Sequence, residues 1–162
     1  MTSAQLVPLE DLPKLLRPEA RLLGLDVGTK TVGFALSDVT RSIATPYHTL
    51  RRTKFTDDAK AILRAIEQNG VGALVIGLPL NLDGSEGPRA QSTRAFARNL
   101  AARIAVPIAF WDERLSTVAV QRHLIAADAT RKRRAQVIDR MAAAYILQGA
   151  LDRLKRLETK RC

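Results

Sequence analysis

Apolar residues recur along this chain with two different periods, and the change from one to the other marks the elements. Arg21 to Asp26 and Thr31 to Ser37 are short apolar, β-prone runs separated by the glycine-bearing turn Val27-Gly28-Thr29-Lys30, which predicts a hairpin. A third strand is predicted over Thr45 to Leu50, with Pro46 at an edge or start. Beyond it the spacing turns helical. Ala59, Ile62, Leu63 and Ile66 mark a helix over Asp57 to Gln68 that Asn69-Gly70 stops. Ala73 to Gly77 and Val106 to Trp111 are unbroken apolar runs of the kind found in buried parallel strands. Between them Pro88 opens a helix reaching Ile104, with Ala95, Leu100 and Ile104 inward. Helices are predicted over Ser116 to Ala127 and from about Ala129 to Leu157. The second carries Val137, Met141, Ala144, Tyr145, Gln148 and Leu151 near a 3.6-residue period.

The resulting order, β-β-β-α-β-α-β-α-α, predicts an α/β fold. Its mixed five-stranded sheet has an antiparallel β1–β3 meander followed by parallel strands, with helices on both faces. Residues 1–20 read as an N-terminal arm broken by Pro8, Pro13 and Pro18, residues 21–157 as the domain, and 158–162 as a tail.

Composition narrows the chemistry. Twenty-six Lys and Arg against 16 Asp and Glu leave a net charge of +10, which points to a polyanionic partner, nucleic acid before an acidic membrane surface. The lone cysteine, Cys162, excludes an internal disulfide and a cysteine-based zinc cage. No apolar run approaches a spanning helix or a secretory signal, so the expected setting is the cytoplasm, without membrane association. Aromatic residues make up only 4%, which argues against recognition by base stacking and for recognition of backbone and shape. His48 and His123 have no partner pattern and read as structural or surface residues.

Most acids lie on plausible solvated helix faces or in the N-terminal arm, but those at three places do not. Asp26 ends the first strand before a glycine turn, Asp112 and Glu113 follow an apolar strand, and Asp139 lies among Val137, Ile138, Met141 and alanines in the last helix. Strand ends of an open α/β sheet converge where ligands bind. Carboxylates gathered there without His or Cys would form an oxygen-only site suited to Mg²⁺ or Mn²⁺, and hard cations there would activate water for attack on a phosphate. Plainer readings stand beside this one. Asp26 would serve as a turn residue, Asp112 or Glu113 would pair with Arg114 or cap a following helix, and Asp139 would pair along its helix with Lys132, Arg134 or Arg140.

Four blocks of this sequence together resemble the YqgF/RuvX family of the RNase H-like superfamily, which also holds the RuvC Holliday junction resolvases. They are Gly24 to Gly33 (GLDVGTKTVG), Ile76 to Gly84 (IGLPLNLDG), Asp112 to Thr117 (DERLST) and Ile138 to Gln148 (IDRMAAAYILQ), in the family's order over about Arg21 to Leu151. The resemblance implies an RNase H-like fold and a Mg²⁺-dependent nuclease, with Mn²⁺ able to substitute. The implied substrate is either a Holliday junction or the 5′ end of pre-16S rRNA. It implies Asp26, Glu113 and Asp139 as catalytic residues and metal ligands, with Asp112 a possible further ligand. Consecutive strand residues point to opposite faces, so Asp112 and Glu113 share a site only if the strand ends between them. The chain departs from RuvC proteins in two ways. Its strand Ala73 to Gly77 has no glutamate, and Gln136 stands three residues before Asp139 where RuvC carries a second aspartate.

Candidate phosphate contacts are Thr29 and Lys30 in the first turn, Arg114 beside the acids, and the run Arg131-Lys132-Arg133-Arg134, with Arg51, Arg52 and Lys54 further out. The loop Leu78 to Pro88, after a parallel strand, is placed as substrate loops are. A two-fold-symmetric junction calls for a homodimer and an rRNA end does not. Two other functions fit parts of the pattern. Asp26-Val27-Gly28-Thr29 resembles the phosphate loop of the actin, Hsp70 and sugar-kinase fold, a nucleotide-binding phosphotransferase that needs two such domains. A non-catalytic nucleic-acid binder would account for the acids missing relative to RuvC.

Overall fold

The computed structural model describes residues 5–116 and 131–160, with side chains described over 5–116 and 140–159. Strands β1 (Arg21–Val27), β2 (Thr31–Ser37), β3 (Ala44–Arg51), β4 (Val71–Leu78) and β5 (Ile108–Asp112) form one sheet in the order β3-β2-β1-β4-β5. β1 pairs antiparallel with β2 and β2 with β3, while β1–β4 and β4–β5 are parallel. This is the predicted mixed sheet. The long connection that carries the chain from β3 back to β4 is helix α2 (Phe55–Asn69), and α3 (Pro88–Ala101) joins β4 to β5. A short N-terminal helix, α1 (Leu12–Leu15), precedes the sheet, and α4 (Arg131–Lys160) ends the fold.

Apolar layers cover both faces. On one, Leu23, Leu25, Val32, Phe34, Leu74 and Ile76 meet Ile62 and Ile66 of α2 and Phe96, Ala97 and Leu100 of α3. Gly70, at φ +62, ends α2 in the left-handed conformation that a side chain would resist. On the other face, Leu22, Ala35, Ala73, Val75, Ala109 and Trp111 meet Ala142, Ala143, Ile146, Leu147, Ala150 and Leu151 of α4.

Two helical faces differ from the predicted ones. In α3, Phe96 and Ala97 are buried where Ala95 was expected, and Ile104 is buried just after the helix ends. In α4 Ala144 and Leu151 are buried as expected, together with Ala142, Ala143, Ile146, Leu147 and Ala150; Met141, Tyr145 and Gln148 are half-buried at the border. The buried face is rotated from the predicted one, so that Ile146 and Leu147 point to the sheet with the alanines between them. Gln148 instead ties the helix to the start of β3: its Oε1 accepts from Ala44 N at 2.9 Å and its Nε2 donates to Ser42 O at 3.0 Å. The side chain of Val137 and the predicted helix over Ser116–Ala127, beyond Ser116 itself, lie outside the described residues.

Both sheet edges are managed. β3, the outer strand on one side, carries Pro46 and a register shift opposite Phe34 and Ala35, which blunts it as a template for pairing. On the other side the N-terminal arm runs along β5: Ile108 N donates to Gln5 O and Val7 N to Ile108 O, both at 2.9 Å, and Leu9 and Leu12 are buried under α4. Among the described residues no helix is long and apolar enough to cross a membrane.

Leu147 is fully buried where α4 touches β1. Leu147→Ala should destabilise the protein by about 2–5 kcal/mol through lost burial and a residual cavity, read as a lower urea midpoint at unchanged slope.

Candidate active site

The C-terminal ends of β1, β4 and β5 lie side by side, and the acids stand there. Asp26 is the penultimate residue of β1 and pairs across the sheet with Gly33 of β2. The β1–β4 register, Leu25 with Ile76, brings Asp26 level with Gly77, one strand spacing of about 4.8 Å away. Gly24, two residues earlier and hence on the same face, lies against Ala143 and Leu147 of α4. Asp26 therefore shares the α4 face of the sheet, and it is only 4% exposed.

Glu113 reaches the same place from the other side. β5 ends at Asp112, and a single 3₁₀ turn, Glu113–Leu115, follows. Trp111 pairs with Gly77 and packs against Gly149 of α4. Glu113, two residues on, is 9% exposed, and its Oε2 lies 3.0 Å from where a Cβ on Gly77 would stand. Such a Cβ would also collide with the Ile146 side chain. Gly77 thus leaves room both for the helix and for a carboxylate, and Asp26 and Glu113 flank it. Two carboxylates this close to an apolar layer repel each other, an arrangement that favours an intervening positive charge.

Asp112 takes no part in that pairing. Its Oδ1 accepts from the Arg114 backbone N at 3.0 Å, capping the 3₁₀ turn, and its Oδ2 accepts from Arg114 Nη2 at 2.7 Å, with Nε 3.1 Å from both oxygens. The hydrogen bonds from the Arg114 side chain, then its backbone N–H and its charge, hold the Asp112 carboxyl below its ordinary value despite opposing desolvation. The strand ends between the two acids, yet they do not share the site: Asp112 turns to the arginine and Glu113 to Gly77.

Thr29 and Lys30 are exposed at the β1–β2 turn, next in sequence to the acid-bearing strand end. Gly28 N donates to Thr31 O at 2.9 Å, and Arg52 clamps the turn from β3's end: Nη1 donates to Gly28 O at 2.6 Å and its backbone N to Lys30 O at 2.8 Å. Its guanidinium also lies 5.2 Å from the Phe96 ring centre and 4.0 Å from the buried Asp58. Arg52, expected to contact phosphate, is therefore committed to the fold, whereas Arg51 and Lys54 are exposed. His48 is exposed and lies edge-on to Phe34. The β4–α3 loop is internally bonded, Asn81 N to Ser85 O at 3.0 Å and Gly84 N to Asn81 O at 2.8 Å, and Arg114 Nη1 donates to Leu82 O at 3.4 Å.

Asp139 and the run Arg131 to Arg134 belong to α4, but their side chains, and all of Thr117 and His123, lie outside the described residues. Among the described residues no group of three or more His, Cys, Asp or Glu side chains forms a ready metal cluster. The sequence pattern missed two features: Gly77 as the space between the acids, and the tie between Arg114 and the β4–α3 loop. The first was signalled only by a glycine ending an otherwise apolar strand. The second was signalled only by Gly84, whose φ of +90 few side chains tolerate.

Known proteins share this chain's sequence and its fold. The family described as RuvX, Holliday junction resolvase, matches residues 20–153. A protein of Methylocella silvestris named "Putative pre-16S rRNA nuclease" is 56% identical over 156 residues, 96% of this chain and 97% of the relative. One of the same name from Paramagnetospirillum magneticum is 63% identical over 147 residues, 91% of this chain and 94% of the relative. Among solved structures, T. thermophilus RuvC in complex with Holliday junction substrate aligns with a TM-score of 0.52 at 12% identity, over 83% of this chain and 96% of that one.

A depressed carboxyl contributes stability above its unfolded-state pKa, and that contribution is lost as pH falls through the lower folded value. The stability gap between wild type and Asp112→Asn should therefore stay constant from about pH 7 to about pH 5. Below about pH 4 it should shrink, as read from urea midpoints across the series.

Proposed function

This chain belongs to the RuvX family of Holliday junction resolvases, and from that premise we propose that it is a divalent-metal-dependent endonuclease that hydrolyses phosphodiester bonds in structured nucleic acid. Its relatives' name favours precursor 16S rRNA as substrate, and the family description makes a Holliday junction the other arm of the test. The single observation that carries the reading is the placement of two buried carboxylates, Asp26 and Glu113, on one face of the sheet either side of Gly77. The chain shares its fold with RuvC, but its β4 carries no acid, so the described acids of the site come from the ends of β1 and β5.

The donor chemistry fits Mg²⁺: two buried carboxylates, with no sulfur or imidazole beside them among the described residues, form a hard, oxygen-only set. Asp26 and Glu113 would hold the ion. Asp139 would complete the set: it stands in α4 four residues before Ala143, which lies against Gly24, and seven before Ile146, which lies against Gly77. Mg²⁺, or Mn²⁺ in its place, supplies Lewis acidity toward the scissile phosphate and toward the attacking water. The chain's own residues do the rest. Thr29 and Lys30 reach backbone phosphates from the exposed turn beside Asp26. Arg131, Lys132, Arg133 and Arg134, five to eight residues before Asp139, hold the strand further along. The apolar layer under α4 keeps bulk water away from the carboxylates. The setting we propose is the cytoplasm, where precursor rRNA is made, and a homodimer belongs to the junction arm only.

Purified wild type should cut a precursor 16S rRNA fragment or a four-way junction in Mg²⁺. Asp26→Asn, Glu113→Gln and Asp139→Asn should each lower the rate on the order of 10²-fold or more at unchanged thermal stability. Calorimetric titration with Mn²⁺ should show binding to wild type that Asp139→Asn weakens or removes. Equal cutting by the three variants and wild type would overturn the site assignment.

A further inference from the structure

Arg114 sits beside the acidic pair, carries the charge a phosphate would seek, and yet spends its donors on its own chain. Nε and Nη2 hold the Asp112 carboxylate, Nη2 at 2.7 Å, and the backbone N–H of the same residue caps that carboxylate at 3.0 Å. On the other side Nη1 donates to Leu82 O at 3.4 Å, and a Cβ on Gly84 would lie 3.2 Å from that same nitrogen. The guanidinium therefore bridges two segments: the 3₁₀ turn that begins with Glu113, and the β4–α3 loop.

The loop is stiff in itself. Asp83 Oδ1 accepts from Ser85 N at 2.9 Å and from Ser85 Oγ at 2.6 Å, and Asn81 Nδ2 donates to Ser85 Oγ at 3.0 Å. A stiff loop fixed at one point moves as a unit, so one contact at its tip sets its position. For Arg114 to grip a phosphate with its fork it would have to release Asp112. That would leave a bare carboxylate facing a polyanion, next in sequence to Glu113, which is electrostatically unfavourable.

We propose that Arg114 is a positioning residue, pinning the Asn81–Ser85 loop to the turn that carries Glu113, with Asp112 as its anchor, and that it is not a phosphate ligand. The inference rests on the nuclease reading for its kinetic consequence and on the free protein for its structural one. Lysine cannot replace the pin, because a point charge lacks the planar fork that spans both carboxylate oxygens and the loop carbonyl.

The test compares Arg114→Gln, Arg114→Lys and Asp112→Asn with wild type in three measurements. In the free protein, amide hydrogen exchange at Gly84 and Ser85 should speed up in all three variants. Binding of a precursor rRNA fragment and of a four-way junction, titrated across salt concentration, should keep the wild-type salt slope in Arg114→Gln, since no phosphate contact is lost. With Mg²⁺, kcat should fall about tenfold or more in each variant with KM little changed. The double variant Arg114→Gln/Asp112→Asn should be no worse than either single one. The proposal is overturned if exchange in the loop is unchanged. It is equally overturned if Arg114→Gln lowers the salt slope by about one while Arg114→Lys keeps wild-type kcat, the signature of a phosphate ligand. Wild-type protein that cuts neither substrate would remove the nuclease reading and leave loop exchange and salt slope to decide the pin.

Discussion

Helix α4 lies close on the sheet because the surfaces between them are small. Gly24 and Gly77 present bare backbone to Leu147 and Ile146, and Gly149 of the helix receives the ring of Trp111. Ala142, Ala143 and Ala150 fill the remaining seam. At this separation an added methyl on any of the three glycines would meet another atom inside van der Waals contact. The rest of the structure follows from that approach. It buries one face of β1, β4 and β5 up to their C-terminal ends, and it forces the acids at those ends to lie at the rim of an apolar layer.

The rim explains why two neighbouring acids have different fates. Asp112 and Glu113 are adjacent in sequence and chemically alike, but β5 stops between them. The pleat that turns Trp111 toward α4 turns Asp112 away from it, toward the guanidinium of Arg114, and brings Glu113 back beside Gly77. A similar division separates the cations. Arg52 is held by Gly28, Asp58 and Phe96, whereas Lys30, Arg51 and Lys54 stay exposed near the same end of the sheet. The net charge of +10 is thus not uniform in purpose: part of it closes turns, and part of it is left for a polyanion.

Much of the fold was readable from pattern alone. The hairpin, the meander, both parallel strands and their connecting helices follow from apolar periodicity and from Gly70 and Pro88 as stop and start. The strand ends shifted by a residue or two: β4 runs Val71–Leu78 where Ala73 to Gly77 was expected. Asp26 and Glu113 stood out in the sequence because an acid at the end of an apolar strand is costly without a reason. The inward face of α4 was legible only in part: Ala144 and Leu151 are buried as expected, but the face is rotated so that Ile146 and Leu147 meet the glycines of the sheet and Met141, Tyr145 and Gln148 lie at the border.

The sequence by itself determined the order of elements, the class of fold, the family and the residue types available for chemistry, because these depend on local periodicity, turn residues and short motifs. Tertiary structure alone decided which of those residues lie together. Arg114 read as a phosphate contact or a partner for its neighbour, and only the folded loop showed that it also reaches Leu82. Gly77 read as the end of a strand, and only the helix packed over it showed that it separates Asp26 from Glu113. Contacts between residues far apart in the chain depend on strand register and on how closely layers approach, and neither quantity is written in any one segment.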